Sequence, residues 1–425
     1  MRYRCGNGCH VAANVASGWA GDAPMVASSG LNQHFDHYEA GDRVKCVVIG
    51  AGAWGLPCAA ELVRRGHAVT LIDRHGVLNP LSSSLGPTRL WRLADPDPAR
   101  VRLAVRGVEA MQRLAARAGD SVFLTRGLLW RDDESMSAVL STLSAMGIAH
   151  TTVEATDVGR FMPGLRADGR DAVWQPMAGV VLAEASLRLQ LRMFESGSGS
   201  MIVRRNVVAV DRARNGVRVT FDDDDAVDAD VTVIAAGPGA TRLLATLGVE
   251  VGLHPYLEQV VHFGDPAHRG ATDDFPCLFD GPSDERPGIY AMPSPGIGYK
   301  VGLDTPLRDY QDSDADRTPD PIRTAAIRDR VGNDIASVMP TVLDAQVCSW
   351  TDSPDGAFII DRLDGGIVIA CGDSGEGFKF SALMGEVLAD LAENNNPDTD
   401  VAALSLARFA EGVPERSGPH ALGRH

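Results

Sequence analysis

Lysine is nearly absent. Only Lys45, Lys300 and Lys379 stand among 40 basic residues, and arginine supplies the rest. Such usage is most simply a genomic composition bias. Against it, a surviving lysine marks a place where a guanidinium does not serve, because an ammonium is a compact charge whose pKa shifts on burial. An excess of positive charge is missing too: 56 acidic residues against 40 basic ones leave a formal charge of −16. That balance excludes general nucleic-acid binding through a basic surface. No apolar run reaches the roughly 18 residues that a membrane span needs. Seven scattered cysteines, from Cys5 to Cys371, make no disulfide framework and point to a reducing cytoplasm. Residues 1–44 show no secretory signal and read as a disordered extension, with Met25 as a rival start. Within them, Cys5-Gly-Asn-Gly-Cys9-His10 is one residue too long for haem attachment and lacks a second pair for zinc, so no metal site is expected.

What is present is an ordinary globular composition: 425 residues, 44% hydrophobic and 23% charged, enough for two or three domains. Lys45–Ile49 reads as a strand, Gly50-Ala-Gly52-Ala-Trp-Gly55 as a turn, Leu56 to Arg65 as a helix, and His67 to Asp73 as the next strand. Strand, glycine turn, helix, and a strand ending in an acid form a dinucleotide fingerprint. Gly50 permits the tight turn, Gly52 lets a pyrophosphate approach the backbone, and Gly55 packs helix on strand. The helix N-terminus then faces the phosphates, and Asp73 accepts from the ribose hydroxyls. Further along, 100–118 reads as a helix, Gly127–Trp130 and Gly179–Leu182 as strands, and Ser196–Ser200 as a loop. Ile202–Val210 and Val217–Phe221 form a hairpin about Asn215-Gly216, and the acid run Asp222–Asp225 is a solvated turn. Val231–Gly237 is a buried strand, 323–331 a helix, and Gly366–Ala370 a strand leading through Gly372-Asp-Ser-Gly375-Glu376-Gly377 to a helix near Ser381–Glu393. Two glycine loops, one near each end of the chain, favour a long flavin cofactor over a nicotinamide.

The pieces Gly50-x-Gly-x-x-Gly55, Thr88-Arg89-Leu-Trp-Arg92, Pro255-Tyr-x-x-Gln259, Gly298-Tyr-Lys300, Cys348, Phe358-Ile-Ile-Asp361 and Gly375-Glu-Gly-Phe-Lys379-Phe occur in that order. Together they resemble the monomeric sarcosine oxidase and N-methyltryptophan oxidase family over roughly 45–410. The resemblance implies an α/β and α+β fold: a Rossmann-like FAD-binding domain from discontinuous segments (45–128, 180–250 and 345–410) and a substrate domain on a mixed β-sheet (129–179 and 251–344). Residues 411–425 are left as a tail. It implies FAD as cofactor, bound by Gly50, Gly52, Gly55, Asp73, Arg89, Gly375, Glu376 and Gly377, and held covalently by a thioether to Cys348. Arg89 serves either the flavin or a structural ion pair. Lys300 matches the lysine that activates oxygen, where a fixed cation stabilises superoxide. Arg92 and Lys379 match a clamp on the substrate carboxylate, with Tyr290 also against substrate; Lys379 has pairing with Glu376 as its alternative.

Glu376, Asp304, Trp350 and Ser84-Leu85 depart from the family pattern, and Trp91-Arg92-Leu93 is closer to the piperideine-carboxylate oxidase branch. These departures imply a cyclic or bulky secondary amino acid, with Trp350 walling the pocket. Asp304 either binds or deprotonates the amine, or stands in solvent. The expected partners are therefore a small amino acid and O2, with no nucleic acid or membrane, for a monomeric enzyme that releases hydrogen peroxide. A flavin dehydrogenase passing electrons to a protein or quinone is the alternative.

Overall fold

The computed structural model describes residues 43–413, apart from 120, 284–285 and 312–315. The Cys5–His10 stretch, Met25 and the chain beyond Val413 lie outside them. Among the described residues the fold is mixed α/β, with a six-stranded sheet, a nine-stranded sheet and two of three strands.

The six-stranded sheet runs Ile359–Leu363, Ile367–Cys371, Val231–Ile234, Lys45–Ile49, Ala68–Asp73, Ser200–Val203, parallel except for the first pair. Its central strands are continuous Val/Ile runs because helices and a small sheet cover both faces. Helix Gly55–Arg64 follows the first strand and packs between Ala183–Glu195 and Ser381–Ala392. The last contact is close: a Cβ on Gly385 would stand 2.7 Å from Pro57 Cβ.

One expectation is corrected and one element was missed. Ile202 does not open the hairpin; strand Ser200–Val203 joins the parallel sheet, and the hairpin about Asn215-Gly216 pairs Val207–Ala213 with Gly216–Phe221. The reason is register, since Ile202 pairs Ile72 and only beyond Arg204 (φ 59°) does the chain turn into the hairpin. Helix Ala183–Glu195 was not legible as an element, because its apolar positions follow directly on the buried strand Gly179–Leu182.

The nine-stranded sheet is mixed. Its strands Leu128–Arg131 and Cys277–Asp280 are parallel, and its other pairs among the described residues are antiparallel. Strand His254–Phe263 lies between Val342–Asp352 on one side and Gly298–Leu303 on the other. Gly298–Leu303 pairs in turn with Ile289–Ser294. Cys348, Lys300 and Tyr290 thus sit on one sheet, the first separated from the second by strand His254–Phe263, although 58 positions separate Tyr290 from Cys348 in sequence. No helix among the described residues is long and apolar enough to cross a membrane.

Candidate active site

One cavity joins both glycine loops to the nine-stranded sheet. At its loop end, Gly50 has φ +105°, and a Cβ there would lie 2.2 Å from the carbonyl oxygen of Ala235. A Cβ on Gly55 would meet Gly50 O at 1.9 Å, so the first turn of the helix closes only over glycine. Asp73 ends its strand and lines the cavity, with Oδ2 accepting from Ala51 N at 2.9 Å and Oδ1 from the amides of His75 and Gly76 at 2.8 Å. The carboxylate therefore braces the glycine turn as well as facing the place expected for ribose. Ser84 Oγ accepts from Ala53 N at 2.8 Å. The second glycine loop is tied to the first, because Trp54 Nε1 donates to Gly377 O at 2.8 Å.

The far end holds charges. Lys300 is buried, its Nζ donates to Thr88 O, and it lines the cavity. Burial, and then the nearby Arg89 guanidinium, hold its ammonium well below the usual lysine range. Arg89 also lines the cavity and donates to the carbonyls of Ser83, Leu85 and Thr88, with its guanidinium 5.5 Å from the Phe378 ring centroid. Of its two sequence alternatives the structural ion pair is absent among the described residues. Tyr290 lines the cavity, and its ring fills the space a side chain at Gly302 would take, with the hydroxyl 2.4 Å from that Cβ position. Trp350 is buried and lines the cavity, its ring centroid 4.9 Å from that of Tyr256. Cys348 lines it as well, a free thiol pushed up by burial.

Two placements correct the expectations. Arg92 is 1% exposed and lies outside the cavity lining. Its Nη1 donates to Asp95 Oδ2 at 2.9 Å and its Nη2 to Glu376 Oε1 at 2.7 Å, while the ring of Trp130 lies 4.8 Å from the guanidinium. Glu376 also binds Arg100 and stands 3.3 Å from Lys379 Nζ, so an internal carboxylate already occupies the cationic group expected to clamp substrate. The physical reason is burial: three cations deep in the protein demand counter-ions. Lys379 does face the cavity, and burial, only partly offset by Glu376, lowers its pKa to about 8. The second correction is Asp304, which is 3% exposed and outside the cavity lining, so it neither stands in solvent nor presents its carboxyl to the cavity as expected. Its amide bonds Gly288 O at 2.8 Å, just beyond the end of strand Gly298–Leu303.

On the sheet side the cavity is lined by the carboxyl-bearing Glu258, which sequence reasoning missed. It lay unread inside Pro255-Tyr-x-x-Gln259, and the one signal was a charge in an otherwise apolar strand. Burial pushes it up to about 8. Arg100 was missed likewise, as one arginine among many on an amphipathic helix.

The model of the FAD dependent oxidoreductase (DAO) family matches residues 45–391. Peroxisomal sarcosine oxidase of Mus musculus is 28% identical over 383 residues, 86% of this chain and 96% of that protein. Monomeric sarcosine oxidase of Streptomyces avermitilis is 28% identical over 360 residues, 81% of this chain and 92% of its own. Among solved structures, NikD, described as an unusual amino acid oxidase essential for nikkomycin biosynthesis, superposes with a TM-score of 0.74 at 22% identity, over 90% of this chain and 99% of that one. The chain belongs to the FAD dependent oxidoreductase family. Its cavity fits the cofactor: Gly50 and Gly52 line it with no side chain, beside the N-terminus of helix Gly55–Arg64, as a pyrophosphate requires.

Proposed function

We propose that this flavoenzyme is an amine oxidase for a secondary α-amino acid, N-methyl or cyclic, with O2 as acceptor and hydrogen peroxide as product. The observation that carries the reading is the single cavity in which Lys300, Tyr290, Cys348, Trp350 and Lys379 meet both glycine loops. FAD, when bound, would supply the hydride-accepting and oxygen-reactive chemistry.

The chain's own residues do the rest. Gly50, Gly52 and Gly55 admit the pyrophosphate, Asp73 takes the ribose, and Cys348 holds the flavin through a thioether. Lys379 takes the substrate carboxylate directly. Arg92 and Arg100 stand behind it and hold Glu376 in place beside it through their ion pairs. Trp350 and Tyr290 exclude water and wall the bulky or cyclic side of the substrate. The amine reacts in its neutral form, since a protonated nitrogen has no lone pair to assist hydride loss. Lys300 sets a buried cation beside the reacting oxygen, which stabilises superoxide-like charge.

A visible spectrum of the purified protein tests this, recorded anaerobically as sarcosine, N-methyltryptophan, L-proline, L-pipecolate or piperideine-2-carboxylate is added singly. Bleaching by one of them, reversed at once by air, is the expected result. Slow reversal in air supports electron transfer to a protein or quinone, and bleaching by none discards the substrate class.

A further inference from the structure

Strand pairing sets Glu258 directly opposite Cys348. Residues so paired in an antiparallel sheet point to the same face, with Cα atoms about 4.5–5.5 Å apart. Both line the cavity. Glu258 is 2% exposed; its Oε1 accepts from Gln259 N at 2.8 Å, and its Oε2 has no hydrogen-bond partner among the described residues. An unpartnered buried acid is costly, so its retention against the thiol asks for a use. Charged and titratable groups around the pair are Tyr290 on strand Ile289–Ser294, Asp304 just past strand Gly298–Leu303, and Arg323 from helix Pro321–Asp334. Arg89, Lys300 and Arg317 bear on the thiol.

Resting on the proposed attachment of flavin at Cys348, we infer that Glu258 is the base that takes the Cys348 thiol proton as the thioether forms. The thiol S–H bond and one C–H bond of the flavin 8-methyl group break, and a C–S bond forms. The two electrons released pass through the flavin to O2, which leaves as hydrogen peroxide with the two protons. Arg89 and Lys300 favour the thiolate that Glu258 generates. Burial gives the carboxyl a basicity suited to the task, at about 8, whereas an exposed glutamate is too weak a base for a thiol that burial itself pushes up.

The test uses the full chain produced in riboflavin-starved cells and mixed with FAD in air. Covalent flavin is read as flavin fluorescence that stays with acid-denatured protein. Wild type should couple, with a rate that rises with pH and levels off above about 8. Glu258→Gln should couple about 10²-fold more slowly, with a rate still climbing above that pH as the thiol ionises unaided. Glu258→Asp should recover part of the loss. Quenching of flavin fluorescence on mixing, before denaturation, reports that each variant is folded and binds FAD. Should Glu258→Gln bind no FAD, the wild-type profile decides, and a coupling rate independent of pH overturns the inference. Equal rates and profiles in wild type and Glu258→Gln overturn it while leaving the attachment intact. Wild type that releases all its flavin on denaturation, or Cys348→Ser that keeps it, removes the attachment and the inference with it.

Discussion

The two ends of the cavity are built differently. At the glycine-loop end the working surface is backbone: Gly50 and Gly55 leave no room for a methyl group against Ala235 O and Gly50 O, and Trp54 ties one loop to the other. At the far end it is ionisable side chains drawn from separate segments: Lys300 and Glu258 from the sheet, and Lys379 and Glu376, backed by Arg92 and Arg100. A steric fit has no partial versions, so the loop end can only be kept or lost. Charges can be exchanged, screened or neutralised one at a time. The charged end is therefore where one member of the family can differ from another in substrate.

The comparison breaks most sharply at Gly50. Gly50→Val must carry a branched side chain at φ +105°, 2.2 Å from a carbonyl. The expected outcome is insoluble or FAD-free protein, with destabilisation of about 3 kcal/mol or more; a soluble yellow variant with an unchanged melting temperature would contradict the steric account. Arg92→Met comes next. It strands Asp95 and Glu376, so about 3–5 kcal/mol of stability should vanish in chemical denaturation. Lys379→Met should instead leave stability nearly intact and raise KM, and a reversal of the two effects would return the clamp to Arg92. Lys300→Met should slow reoxidation by air by about 10²–10³-fold with flavin reduction by substrate little changed, measured by stopped flow. Equal slowing of both half-reactions removes its assignment.

The smallest effect is a pH dependence. Lys379, lowered to about 8, is charged below that pH and neutral above it. Binding of a small carboxylate lacking an amine should thus weaken as pH rises through about 8, by up to tenfold per unit. Affinity that is flat in pH would place the carboxylate elsewhere. Glu258 shifts the other way. Its folded-state pKa lies above the ordinary 4.5, so native protein keeps a proton that unfolded chain releases, and stability falls as pH rises from about 4.5 to about 8. Glu258→Gln should consequently melt higher than wild type near pH 8 and converge with it in acid, a functional residue retained at a cost in stability.

How far the sequence could be read follows the same divide. The first strand, glycine turn, helix and acid-ended strand agree with the structure to within a residue or two, because the interactions that define them close within 30 positions. The second loop and its helix were legible for the same reason. Reading failed where a short segment chose between partners. Ile202 could extend a hairpin or add to the parallel sheet, and only the register with Ile72 decides. At the sheet end, residue types were legible and their engagements were not. Arg92 and Lys379 were read as equals, yet one faces the cavity and the other is consumed by internal carboxylates.

By itself, then, the sequence determined the cofactor class and the turn that receives it, since the Gly50–Gly55 contact is a steric requirement closed within six residues. Tertiary structure alone decided that Glu258 rather than Asp304 lines the cavity. Asp304 and Glu258 both end up buried beside Tyr290. Strand pairing turns Glu258 toward Cys348 and leaves Asp304 outside the lining. Side-chain direction in a sheet follows from register, and register is a property of two strands together.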